Sequence, residues 1–278
     1  MSGRKNQSGH VQERLVELLV SFKVPTLARE LVPRLKADGH GELLPSLLEL
    51  FELEAEDRRG RRTDRLRRAS RLPAGKTLAT LDQARLPRSL CDKLRELLRG
   101  DFIERAVNVL CFGLPGTGKS HAACALGHAL VEAGHPVLFI PTYQLVQELL
   151  CAKRALTLPR TLRKLDLYEL IILDDLGYVA QSPEEAEVLF TLMAERYERK
   201  SMLISSNLVF SHWDRIFGNP MATAAAIDRL VHHSVILEFD VPSFRTQGVR
   251  RRTAPATTTT EAGDNYPSGP PATPEVEA

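Results

Sequence analysis

The sequence predicts an α/β protein, a five-stranded and mainly parallel sheet flanked by helices and preceded by a small all-helical region. Three observations carry that prediction. Five short apolar runs rich in β-branched residues recur between residues 105 and 245, separated by stretches of helical periodicity. Residues 11 to 70 instead place leucine and valine at spacings of three and four. A glycine-rich stretch, FGLPGTGKSH (112–121), sits where the first apolar run gives way to a helix.

The elements follow in chain order. VQERLVELLV puts Val11, Leu15, Leu18 and Leu19 on one stripe, and LLPSLLELFELEAEDRR continues the habit, so residues 1–70 form a helical N-terminal region. RLPAGKTLATLDQARLPRS, broken by prolines and glycine, reads as a linker; with the helix LCDKLRELLRG it fills 71–104. The core spans 105–252, with strands expected at 107–112, 136–140, 169–174, 201–206 and 234–239. Runs buried on both faces and joined by helices imply a parallel sheet with right-handed crossovers. The clearest helix is SPEEAEVLFTLMAERYERK: Ser182 caps it, Glu185 stands three later, and Pro183 takes the first helical position. From 253 to 278 the chain is threonine- and proline-rich, with too little apolar surface to offset the entropy of ordering.

Bulk properties narrow the class. A chain of 278 residues, 43% apolar, can bury a real core. Cys91, Cys111, Cys124 and Cys151 are widely spaced and form no CxxC pair, which argues against a zinc site or a disulfide scaffold and for reduced thiols. The N-terminus lacks the apolar core of a signal peptide and no run is long enough to span a membrane. The expectation is a cytoplasmic protein.

Gly113, Gly118, Lys119 and Ser120 satisfy G-x-x-x-x-G-K-[ST]. Chance produces that match on the order of once per hundred chains of this length, and would not also place it between a strand and a helix. Glycines let backbone N–H groups approach phosphate oxygens with no Cβ in the way, and the helix N-terminus adds its positive dipole end. The expected nucleotide-binding residues are Gly113, Leu114, Pro115, Gly116, Thr117, Gly118, Lys119, Ser120 and His121. Lys119 would reach the β- and γ-phosphates of ATP, and the Ser120 hydroxyl would ligate Mg²⁺. In LIILDDLG, four apolar residues bury a strand and Asp174 and Asp175 emerge at its end. Asp174 would hold Mg²⁺ through its water shell, and Asp175 would polarise the attacking water.

Two further residues stand where γ-phosphate chemistry could use them. Asn207 ends SMLISSN, as a ligand to phosphate or water or as a turn residue. Arg229, in AAAIDRLVHHS, is either a surface charge paired with Asp228 or a finger entering a neighbouring subunit.

From about residue 22 to 245 the chain resembles the IstB-type ATPases, helpers of insertion-sequence transposition in the AAA+ class and related to the helicase loader DnaC. The resemblance rests on VPTLARELVPRLKADG, FIERAVNVLCFGLPGTGKSHAACALGHALVEAGHPVLFI, LYELIILDDLGYV, EEAEVLFTLMAERYERKSMLISSNLVFSHWDRIFG and AAIDRLVHHSVILEF, in that order. It implies an AAA+ P-loop core, Asn207 as a sensor of the γ-phosphate and Arg229 as an arginine finger acting in trans. PSFR, ending at Arg245, matches the family's closing motif without a role attached. The family's linker is more aromatic than KTLATLDQARLPRS and packs near the base.

The remaining charges bear on what ATP is for. RRGRRTDRLRRASR (58–71) holds eight arginines against one aspartate, and Arg58, Arg59, Arg61, Arg62 and Arg65 are candidates for nucleic-acid backbone contacts. The competing reading is a solvated helix face salted by Glu52, Glu54, Glu56 and Asp57, which lie before the run. A second set, Lys153, Arg154, Arg160, Arg163 and Lys164, lies between the second and third strands, in an insertion that the resemblance turns toward DNA. Neither set carries interleaved aromatics, so little sequence specificity is expected. The expected function is an ATP-dependent homo-oligomer on duplex DNA that presents that DNA to a transposase. A helicase loader and a small-molecule kinase are the rivals.

Overall fold

A computed structural model of the chain describes residues 2–177, 182–218 and 220–243. Arg245 and the tail from 253 lie outside them.

Three helices open the chain: α1 (Ser2–Ser21), α2 (Pro25–Ala37) and α3 (Leu44–Ala69). Their apolar stripes meet in a small core of Leu15, Leu19, Val32 and Leu44, with Phe51 packed against it. At 26 residues α3 is about 39 Å long, so it outruns that core and carries the chain to the sheet. There Ser70 is fully buried, and its carbonyl accepts a hydrogen bond from the Phe139 amide at 2.7 Å.

Next come α4 (Arg88–Leu97) and a short α5 (Asp101–Glu104), then β1 (Asn108–Gly113), α6 (Lys119–Glu132), β2 (Val137–Pro141), α7 (Thr142–Arg154) and α8 (Leu158–Leu165). After β3 (Leu170–Leu176) follow α9 (Pro183–Arg196), β4 (Ser201–Ser206), α10 (Asp214–Phe217), α11 (Pro220–Val231) and β5 (Ser234–Phe239). The five strands form one parallel sheet in the order β2-β3-β4-β1-β5. This is the α/β fold with N-terminal helices that the sequence predicts, and each strand falls within two residues of its expected span. The capping box at Ser182 and Glu185 is present as read.

Alternation along the strands divides the core in two. Leu110, Ile171, Leu173 and Ile204 face α7, α9 and α11, while Val109, Cys111, Ile172 and Leu203 face α4 and α6. Helices thus cover both faces, as a parallel sheet requires. The strand order also sets the site. The central neighbours β3, β4 and β1 end side by side, and in open α/β sheets ligands bind outside such carboxyl ends.

Candidate functional site

A cleft of about 320 Å³ opens at those ends. Its floor is the loop after β1, with Gly116 and Gly118 at φ +83° and +100°, left-handed values that favour glycine. Gly113 answers a different constraint: a Cβ there would stand 2.6 Å from the Phe239 carbonyl oxygen, closer than any real contact. Lys119 begins α6 and is 5% exposed; its Nζ donates to the carbonyls of Gly113 at 2.6 Å and Leu114 at 2.9 Å.

The acids arrive through a register shift. Leu173 pairs with Ile204 and Leu176 with Ser206, so Asp174 and Asp175 together oppose Ser205 alone. Asp175 takes φ +59° there and projects into the cleft, whereas Asp174 stays 8% exposed. Ser205 binds both: its hydroxyl donates to Asp174 Oδ1 at 2.6 Å and accepts from the Asp175 amide at 2.9 Å. The Thr142 hydroxyl donates to the Asp174 carbonyl at 2.9 Å. Beneath them the Cys111 thiol is pushed up to about 12, chiefly by burial and further by the Asp174 charge, with Lys119 opposing.

Of the residues expected to bind nucleotide, Pro115, Gly116, Gly118, Lys119, Ser120 and His121 line the cleft together with Asp175 and Asn207. Gly113 and the buried Thr117 build the loop from behind, the Thr117 hydroxyl donating to the Leu114 carbonyl at 2.8 Å, and Leu114 is 71% exposed. Asp174 does not line the cleft; Ser205 links Asp174 to Asp175, which does. Arg229 does not line it. Its guanidinium stacks 4.7 Å from the Phe190 ring centroid and donates to the Ala225 carbonyl at 3.3 Å, and it forms no ion pair with Asp228.

The residues expected as a linker supply the opposite wall: Lys76, Thr80, Leu81 and Asp82. His121 pins them, its Nε2 standing 3.1 Å from the Thr77 carbonyl and 3.0 Å from the Thr80 hydroxyl. A carbonyl only accepts, so that nitrogen carries the proton. Ser205 and Thr142 escaped sequence reading, whereas the resemblance already sets the segment KTLATLDQARLPRS near the base without naming which of its residues line the cleft. The one signal was a serine at the end of a strand otherwise apolar, which must find a partner once buried.

The basic runs lie elsewhere. Glu54 accepts from Arg58 at 2.6 Å and Arg61 at 3.2 Å, Arg62 donates to the Gly134 carbonyl at 3.2 Å, and Arg59 and Arg65 are exposed with no ion pair among the described residues. Lys153 and Arg154 pair with Glu187 and Glu184 at the start of α9. Arg160, Arg163 and Lys164 stay exposed, without an ion pair among the described residues.

A parallel sheet of this order with a glycine loop, a buried lysine and Asp175 in one cleft defines a P-loop nucleotide-binding protein. The chain belongs to the IstB-like ATP binding proteins, whose family pattern it matches over residues 34–252. It is 40% identical over 261 residues to an insertion-sequence ATP-binding protein of Sinorhizobium fredii, covering 91% of this chain and 87% of that one. It is 39% identical to the ATP-binding protein of insertion sequence IS21 from Pseudomonas aeruginosa, covering 72% and 76%. Among solved structures, AMPPCP-bound DnaA from Aquifex aeolicus superposes with a TM-score of 0.53 at 16% identity, over 66% of this chain and 56% of that one. DnaI superposes at 0.51 and 18% identity, over 61% and 95%. These two likenesses bear on the fold alone. No helix among the described residues is long and apolar enough to cross a membrane.

Proposed function

We propose that the protein is an ATPase that assembles on duplex DNA and delivers it to the transposase of an insertion sequence. The observation that carries the reading is the Asp174–Ser205–Asp175 network, which sets Asp175 in the cleft with Lys119, Ser120 and Asn207.

ATP would lie with its phosphates in the glycine loop and its base toward Leu81 and Thr80. In this structure Lys119 is engaged by carbonyls of its own loop; phosphate oxygens carry more negative charge and take their place. Ser120, and Asp174 through the ion's water shell, would hold Mg²⁺, which supplies charge neutralisation at the β- and γ-phosphates. Asp175 orients a water for attack and takes its proton. The Ser205 bond to its amide fixes that carboxylate's backbone in a conformation it would not otherwise keep. Asn207 completes the γ-phosphate end.

Arg229 stands clear of its own cleft, which suits a role in a neighbour's. ATP bound between subunits would then favour the oligomer. The exposed cations Arg59, Arg65, Arg160, Arg163 and Lys164, with their partly paired neighbours Arg58, Arg61, Arg62, Lys153 and Arg154, supply contacts to the DNA backbone. The names of the relatives supply the context: they are ATP-binding proteins of insertion sequences.

The test is ATP turnover with and without duplex DNA for the natural protein and Lys119→Ala. Low basal turnover, stimulation by duplex and loss of both in the variant are expected. Absence of ATP binding by calorimetry, or turnover indifferent to DNA with no ATP-dependent oligomer on sizing, overturns the reading.

A further inference from the structure

The opposite end of the sheet carries a second group of chemistry-bearing side chains. Glu198 stands in the turn between α9 and β4, and His232 and His233 form the turn between α11 and β5. All three are exposed, and one ligand atom from each lies within 4.8 Å of the other two. Glu198 Oε1 is 3.8 Å from His232 Nδ1 and 3.8 Å from His233 Nε2. The two imidazoles meet edge to face with centroids 4.3 Å apart. Glu198 is held at φ +54°, a left-handed conformation costly for a side chain with a Cβ. The Arg199 and Lys200 amides, each 3.0 Å from the Arg196 carbonyl, tie that turn down.

We propose that Glu198, His232 and His233 bind a divalent transition-metal ion of the zinc, nickel and copper class. Two imidazole nitrogens and one carboxylate oxygen are the donor set those ions take, whereas Mg²⁺ and Ca²⁺ prefer oxygen alone. In a tetrahedral zinc site with bonds near 2.0–2.1 Å the ligand atoms stand about 3.3–3.4 Å apart. The two 3.8 Å separations therefore need to shorten by only about half an ångström, which side-chain rotation at the surface supplies. Three protein ligands leave a position for water. The Tyr197 hydroxyl, 3.4 Å from His232 Nδ1, gives up that nitrogen to the ion and can bond the water instead. The ion would join the end of α9 to the end of α11, the two helices that Phe190 and Arg229 already bring together. This site is distinct from the nucleotide cleft and its test does not depend on ATP.

The experiment is calorimetry of the full chain with zinc chloride and with nickel chloride, at about pH 7.5 where imidazole is neutral, with metal content checked by elemental analysis after dialysis. The natural protein should take up one ion saturably and melt at a higher temperature with zinc. The double variant His232→Ala/His233→Ala should lose that ion and the thermal shift. Glu198→Gln, which keeps the size of the side chain, should weaken uptake at least about tenfold and serves if the double variant folds poorly. Equal uptake by the natural protein and either variant, or no saturable uptake at all, overturns the site.

Discussion

The two ends of the sheet each bury one cation, and they use it in opposite ways. Where β3 and β4 begin, Arg196 is 3% exposed and donates to the carbonyls of Leu165, Tyr168, Glu169 and Ser201 at 2.9–3.2 Å. Burial pulls its pKa down to about 10, with Asp166 opposing, so it is still charged at neutral pH. Where β1 ends, Lys119 is 5% exposed and bonds carbonyls of its own glycine loop. A cation shared among the end of α8, the turn before β3 and the start of β4 is consumed by the fold, because releasing it would break bonds that tie three segments together. A lysine bonded to carbonyls of a glycine loop can exchange those bonds for phosphate oxygens. Burial alone does not mark a functional charge; what it is tied to does.

The contrast predicts opposite phenotypes. Arg196→Met should lower the free energy of unfolding by about 3–5 kcal/mol, since it removes the hydrogen bonds that join three segments at this end of the sheet, while the folded fraction binds ATP within about twofold of the natural protein. Urea unfolding and calorimetry measure the two. Lys119→Ala should do the reverse, with stability little changed and turnover down at least about 10²–10³-fold, roughly 3–4 kcal/mol of barrier. Loss of ATP affinity in well-folded Arg196→Met would erase the distinction.

Ser205→Ala tests the middle of the sheet. It leaves the Asp175 amide without its partner, so a stability cost of about 1–3 kcal/mol is expected. Because the hydroxyl also fixes the backbone of Asp175, proposed above to orient the water, kcat should fall more than the affinity for ATP. A fall in affinity with kcat intact would mean that Ser205 serves binding and not the water.

How much of this could be read beforehand follows from the kind of interaction. The phosphate loop and the acid pair are legible because spacing and strand context encode them, and the box of Ser182 and Glu185 because it is local. The pairing of Arg58 with Glu54 follows the i,i+4 rule, yet that of Arg67 with Glu132 at 2.6 Å joins α3 to α6 and has no local trace. The shift that sets Asp174 and Asp175 against Ser205 is likewise invisible in LIILDDL, since a bulge changes no residue type. Prolines and glycine made residues 71–89 read as a linker, but a segment without apolar periodicity can be fastened by single buried leucines, Leu81 and Leu86, and by hydrogen bonds. Here His121 holds Thr77 and Thr80, and His128 Nε2 lies 3.0 Å from the Pro73 carbonyl.

The smallest expected effect is a rate that reads the sheet from inside. Cys91, Cys111 and Cys124 are buried and Cys151, on α7, is exposed. Burial pushes both the Cys111 and Cys124 thiols up to about 12, so at pH 8 only about one in ten thousand of either is the reactive thiolate. A disulfide reagent should therefore modify one thiol per chain quickly and the other three only as the core opens. ATP should slow that second phase, because it binds the folded state alone, and leave the Cys151 phase unchanged. In Arg196→Met the second phase should quicken, since the same core opens more often, whereas Lys119→Ala should leave its ATP-free rate nearly as it was and remove the protection by ATP. Two or more fast thiols in the natural protein would put one of the buried cysteines at the surface, and the reading of the sheet as sealed at one end and open to ligand at the other would fail.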